Sequence, residues 1–147
     1  MIEADIEESN RIFIDAMKAG NVAQLVALLE DDVVFMPQAD TTLYGKGEVE
    51  DWYKEYFEYF SVLDLDVTEH EATLAGDCLV ERSGLSVKLV AKKGGTSIYD
   101  DARILSIWRR QPDGSWKMWQ SMWNSVKAIG AGTNRFLVRF MQGRDDE

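Results

Sequence analysis

Residues 98–125 read IYDDARILSIWRRQPDGSWKMWQSMWNS, and this stretch decides the fold. Two long runs rich in β-branched and aromatic residues flank Gln111-Pro112-Asp113-Gly114. That tetrad has tight-turn chemistry: Pro presets its φ, Asp bonds its own backbone, and Gly accepts a positive φ. The pattern predicts strands over 98–110 and 116–124, joined as an antiparallel hairpin. Both faces of both strands carry apolar residues. An antiparallel sheet with one wet face alternates instead, so something covers the second face too.

Upstream, Lys93-Gly94-Gly95 and Ala75-Gly76-Asp77 are further turn signals. They bound predicted strands over 78–92, with Leu85, Val87 and Leu89 on one face, and over 62–74, with Leu63, Leu65 and Val67 together. Before residue 61 the period changes. Val49, Trp52, Tyr53, Tyr56, Phe57 and Phe60 recur at helical spacing and predict a helix over 48–60. Ile6, Phe13 and Met17 predict another over 3–18, with acidic residues at its N-terminal end to complement the dipole. Gly20 stops it and Asn21 caps a second helix over 22–29. Val33 to Met36 form a short strand closed by Pro37. Helices first and a strand meander afterwards give an α+β class, with three N-terminal helices on a mostly antiparallel sheet. The chain reads as one domain over 1–147, with a core of about 5–125 and a C-terminal extension over 126–147. In that extension FLVRF fits either a short helix capped by Thr133 or a strand.

The 147 residues carry a net charge of −10, which argues against binding phosphate backbones or anionic membranes. Cys78 is the only cysteine and His70 the only histidine, so no internal disulfide and no zinc site of the Cys/His kind is expected. No cofactor is expected: phosphate loops, nucleophile elbows and dinucleotide fingerprints are absent. The acidic start lacks the basic and apolar regions of a signal peptide, and no apolar run reaches the ~20 residues of a membrane span, so a cytoplasmic location is expected.

The run RQPDGSWKMWQSMWNS at 110–125 resembles the last hairpin of the nuclear-transport-factor-2-like superfamily, above all its SnoaL-like and ketosteroid-isomerase-like bacterial members. The segment IDAMKAGNVAQLVALLEDDVVFMP at 14–37 resembles the opening of the same superfamily. Ala19-Gly20-Asn21 and Leu43-Tyr44-Gly45-Lys46-Gly47 sit where it keeps a turn and the loop before the third helix. The resemblance implies a cystatin-like cone: a curved sheet wrapped round a long helix, with an internal pocket and homodimers formed through the outer sheet face. Fold alone does not set function, since the superfamily holds isomerases, dehydratases, cyclases, hydrolases and binding modules.

Its known chemistries can be laid on this chain. Where ketosteroid isomerases keep an Asp base before a Pro, this chain has Met36 before Pro37, and where they keep an oxyanion-binding Tyr it has Phe13. Neither can move a proton or bind an oxyanion. His70, in Glu69-His70-Glu71, reads as a solvated surface residue. Asp101 and Arg103 share a strand face and, with a carboxylate such as Glu81, make the one constellation suited to acid–base work. By analogy with the family, Asp101, Arg103, Met118, Gln120, Met122 and Asn124 face the pocket. Met36, Trp52, Tyr53, Tyr56 and Phe57 complete its wall. Ile104, Trp108, Trp119 and Trp123 then form an outer apolar patch, read as a homodimer interface. The expected function is binding of a hydrophobic small molecule, or association. The alternative is a lyase, isomerase or hydrolase of cyclic substrates that uses Asp101 and Arg103.

Overall fold

The computed structural model describes residues 2–126, with side chains from Ile6 onward. Helix α1 (Ile2–Ala19) ends where Gly20 takes a φ of 65°, a conformation that a β-carbon resists. Asn21 caps α2 (Val22–Val26), its side chain accepting from the Gln24 N–H. Then come β1 (Leu29–Met36), β2 (Leu43–Tyr44) and α3 (Lys46–Tyr59). The long strands β3 (Phe60–Ala75), β4 (Cys78–Ala91), β5 (Ser97–Arg110) and β6 (Trp116–Ser125) follow.

The start of β1 differs from the sequence expectation. The second helix stops at Val26, because Leu28 gives its carbonyl to the Met118 N–H at 2.8 Å and Leu29 already lies in the sheet. Glu30, Asp31 and Asp32 continue that strand instead of breaking it. The short β2, which no periodicity marks, pairs with β1. The reading of residues 127–147 lies outside the described residues.

The strands make one open, curved sheet in the order β2-β1-β6-β5-β4-β3. Every neighbour is antiparallel except β1 with β6, which run parallel. The core clusters Leu25, Leu29, Val33, Phe35, Val49, Tyr53, Phe57 and Phe60 with Leu65 and Leu89. A second cluster of Ile6, Leu79, Trp108 and Trp116 fills one end.

Bulges decide which side chains face the helices. In β3, Leu63 and Thr68 are extra residues against β4, and in β6, Trp119 is extra against β5. Each swaps the alternation of its strand, since a one-residue slip turns side chains to the other face. The inner face of β3 therefore runs Val62, then Leu65 and Val67, then His70 and Ala72. That of β6 runs Trp116 and Met118, then Ser121 and Trp123. Gly84 lies beside the second bulge of β3. A β-carbon on it would sit 2.5 Å from Thr68 Oγ1, so the bulge needs a bare backbone there.

Candidate functional site

Between α1, α3 and the inner sheet face lies a cavity of about 140 Å³. That matches the scale of an apolar cavity able to hold one benzene ring, roughly 150 Å³. One wall is aromatic. Trp52 stacks on Tyr56 with ring centroids 5.3 Å apart, and Trp123 meets Phe35 and Trp52 edge-on at 5.5 and 5.8 Å. Phe13, Ile14 and Met17 from α1 and Leu85, Val87 and Leu89 from β4 complete the apolar lining. Trp52 Nε1 is tied to Asp40 Oδ2 at 3.1 Å, which fixes the indole in the wall.

At one end of the cavity stands Asp100, whose Oδ1 is buried with no hydrogen-bond partner among the described residues. Burial pushes its pKa above the ordinary 3.8; nearby Ser125 opposes this, and Asp101 adds to it. The Ser125 hydroxyl beside it is itself buried, with no hydrogen-bond partner among the described residues. Tyr53 and Tyr56 flank this end. Burial pushes both phenols upward, with Tyr56 raising Tyr53 and Asp100 raising Tyr56 further. Both therefore remain neutral donors at physiological pH.

A second polar node sits on β4. Glu81 is 4% exposed and receives three donors: Asn10 Nδ2 at 2.6 Å, His70 Nε2 at 2.7 Å and Trp108 Nε1 at 2.9 Å. Asn10 and Glu81 both line the cavity. Between the two nodes, the buried hydroxyls of Ser106 and Ser121 bond each other at 3.0 Å. Among the described residues, no group of three or more His, Cys, Asp and Glu side chains converges as a metal site would.

Of the residues assigned to the pocket from sequence, Trp52, Tyr53, Tyr56 and Met118 line the cavity. Phe57 stands behind them, buried and stacked on Tyr53. The others are misplaced. Asp101 and Arg103 lie on the outer face, where Asp101 accepts from Ser86 Oγ and Arg103 donates to Asn124. Neither can act on a molecule held in the cone. Met122 is 47% exposed, Asn124 is exposed, and Gln120 pairs with outward Ile107. Met36 pairs with Met122 and shares its face, while its neighbour Phe35 turns inward.

The patch assigned as an interface is corrected in the same way. Trp108 is fully buried, and Ile104 and Trp123 line the cavity, so these three cannot meet a second copy across the outer face. Trp119 alone of that set is outward, stacked under the Arg109 guanidinium at 3.7 Å. For Trp123 the reason is the Trp119 bulge; Ile104 and Trp108 lie on β5, which carries no extra residue, and face inward with Ala102 and Ser106. Strict alternation puts Met118, Gln120 and Met122 together, and the extra residue separates them.

Sequence reasoning missed Asp100, Asn10 and the hydrogen bond that His70, an exposed residue, makes to Glu81. One signal was present: an isolated Gly84 within a strand marks a bulge beside it, and that bulge turns His70 towards Glu81.

Comparison with known proteins follows the same fold. The SnoaL-like domain family model matches residues 6–125. A conserved protein of Planctomyces limnophilus is similar in structure, with a TM-score of 0.76 and 22% identity over 84% of this chain and 95% of its own. A ketosteroid isomerase-like protein of Erwinia carotovora gives 0.74 and 21%, over 84% and 95%. A nuclear transport factor 2-like superfamily protein of Salmonella enterica gives 0.79 and 14%, over 89% and 95%. At these identities the likeness shows the fold alone. No curated protein sequence matches the chain.

Proposed function

The chain belongs to the SnoaL-like domain family, and from that premise we propose that its cone binds a small, largely apolar, ring-bearing molecule with one hydrogen-bond donor. The observation that carries this is Asp100 Oδ1, buried without a hydrogen-bond partner among the described residues, in an aromatic-walled cavity. Flat rings suit the Trp52, Tyr56 and Trp123 faces. Buried polar atoms are normally satisfied, and a ligand hydroxyl in the cavity would satisfy Asp100.

Tryptophan fluorescence tests this with phenol and benzene as probes. Phenol is expected to bind about tenfold more tightly, as one hydrogen bond to a charged group gives roughly 1.5 kcal/mol. Asp100→Asn should erase most of that preference. Equal affinity for the two probes in the unaltered protein, or no quenching by either, would refute the reading.

A homodimer through the outer sheet face remains part of the proposal, with a different set of residues. Leu105 and Met122 are cross-strand partners on β5 and β6, 46% and 47% exposed, and Ile107 and Met36 lie on the same face. Adjacent apolar side chains on an open sheet face suit a self-complementary contact.

A further inference from the structure

The charges in the cavity wall are of one sign. Among the described residues that line it, Glu81 and Asp100 are acidic and none is Lys, Arg or His. The two acids stand differently. Glu81 already accepts from Asn10, His70 and Trp108, so it needs no ligand and contributes its field alone. Asp100 Oδ1 is buried with no hydrogen-bond partner among the described residues, and the charge that acts on Asp100 is that of another acid, Asp101. Burial moves this carboxyl towards its neutral form, the response of an acid that lacks a cation.

The aromatic wall adds to the same preference. Tyr56 feels the charge of Asp100, so the carboxylate stands beside the rings. Tyr56 stacks on Trp52, and Trp52 in turn meets Tyr53 and Trp123 edge-on at 5.5 and 5.8 Å. The face of an aromatic ring carries partial negative charge, so such a wall favours a cation and opposes an anion. A neutral hydroxyl on Asp100 would satisfy a lone pair and leave the charge unbalanced. A buried carboxylate is stable when it is both bonded and paired, and a protonated nitrogen does both at once.

From this arrangement we infer that the molecule held in the cone is a cation: a small ring-bearing amine whose protonated nitrogen donates to Asp100 while its carbon atoms lie against Trp52, Tyr56 and Trp123. The inference rests on the binding reading above and gives that ligand's donor a charge. A cavity of about 140 Å³ takes one ring with a short amine arm. Carboxylate and phosphate ligands are turned away by the same two acids that hold the amine. The chain's net charge of −10 raises the local concentration of cations and works in the same direction.

Benzylamine, benzyl alcohol and benzoate test this, since they share one ring and differ in the charge of the polar group. Affinities are read by isothermal titration calorimetry on the full-length protein at neutral pH, in phosphate buffer because an amine buffer would compete. Benzylamine is expected to bind at least about tenfold more tightly than benzyl alcohol, from a charge-assisted hydrogen bond and a cation–π contact. Benzoate should give no heat of binding. Asp100→Asn should bring benzylamine to within about threefold of benzyl alcohol, because the pairing charge is gone and the rings remain. If that variant does not fold, Asp100→Ser serves in its place. Benzyl alcohol or benzoate that binds as tightly as benzylamine, or an amine preference that survives loss of the Asp100 carboxylate, overturns this inference. The binding reading then still stands if phenol is preferred to benzene. Failure of every one of these probes to bind counts against both.

Discussion

Replacing Asp100 by Asn should stabilise the protein at neutral pH. Asp100 Oδ1 is buried without a hydrogen-bond partner among the described residues, and burial raises its pKa above 3.8. A carboxyl with a raised folded pKa favours the fold most where it is protonated, below the ordinary carboxylate range. Stability then falls as pH rises through the folded value. Asn has nearly the same shape, carries no charge, and can turn its amide towards the unpartnered Ser125 Oγ. An unsatisfied buried polar group costs roughly 1–3 kcal/mol. Asp100 is only half buried, so the lower end applies, about 1 kcal/mol. For a chain of this size that corresponds to ~3 °C in Tm. The assay is a series of circular-dichroism melts of both proteins from about pH 3 to about pH 7. The curves should coincide at the acid end and separate upwards, with the Asn variant higher. A variant that melts lower at neutral pH, or a gap that ignores pH, would show that Asp100 is already satisfied in the fold and remove the main support for the ligand-facing role.

Two further outcomes follow from the sheet. Leu105→Glu places a charge beside Met122 on the outer face and is expected to turn a dimer into monomers at micromolar concentration. Sedimentation velocity reads this directly, and an unchanged coefficient rejects that face as the interface. Gly84→Ala should cost about 1 kcal/mol through the clash with Thr68 Oγ1, and Thr68→Ala added to it should recover most of the loss. Urea denaturation of the four proteins closes the cycle, and strict additivity would mean that Thr68 does not touch the added methyl.

The fold was legible because its signals are local. Gly20 and Asn21 act where they stand, the Val49–Phe60 spacing defines one helix face, and Gln111 to Gly114 turns the chain with its own chemistry. The aromatic wall on α3 was legible for the same reason. The site on the strands was not, because alternation is cumulative. An error at Trp119 is carried to Ser125, so Met118 was placed correctly while Gln120, Met122 and Asn124 were not. Asp101 and Arg103 failed differently: no bulge precedes them, and the small Ala102 and Ser106, which alternate with them on the face of Trp108, were the mark of the concave side. His70 is exposed, as its flanking glutamates suggest, and what the sequence hid is that the extra Thr68 turns its ring towards Glu81.

The bulges have a consequence for how such a site can change over time. Within β3 and β6 a substitution alters one position of the cavity wall, whereas gain or loss of a single codon at Thr68 or Trp119 exchanges every later position at once. Two relatives with nearly the same strand residues but one insertion apart would present different chemistry to the same cavity. Alignments of this family that slide gaps towards the nearest loop would hide that difference, so pocket residues are better matched by sheet register than by column.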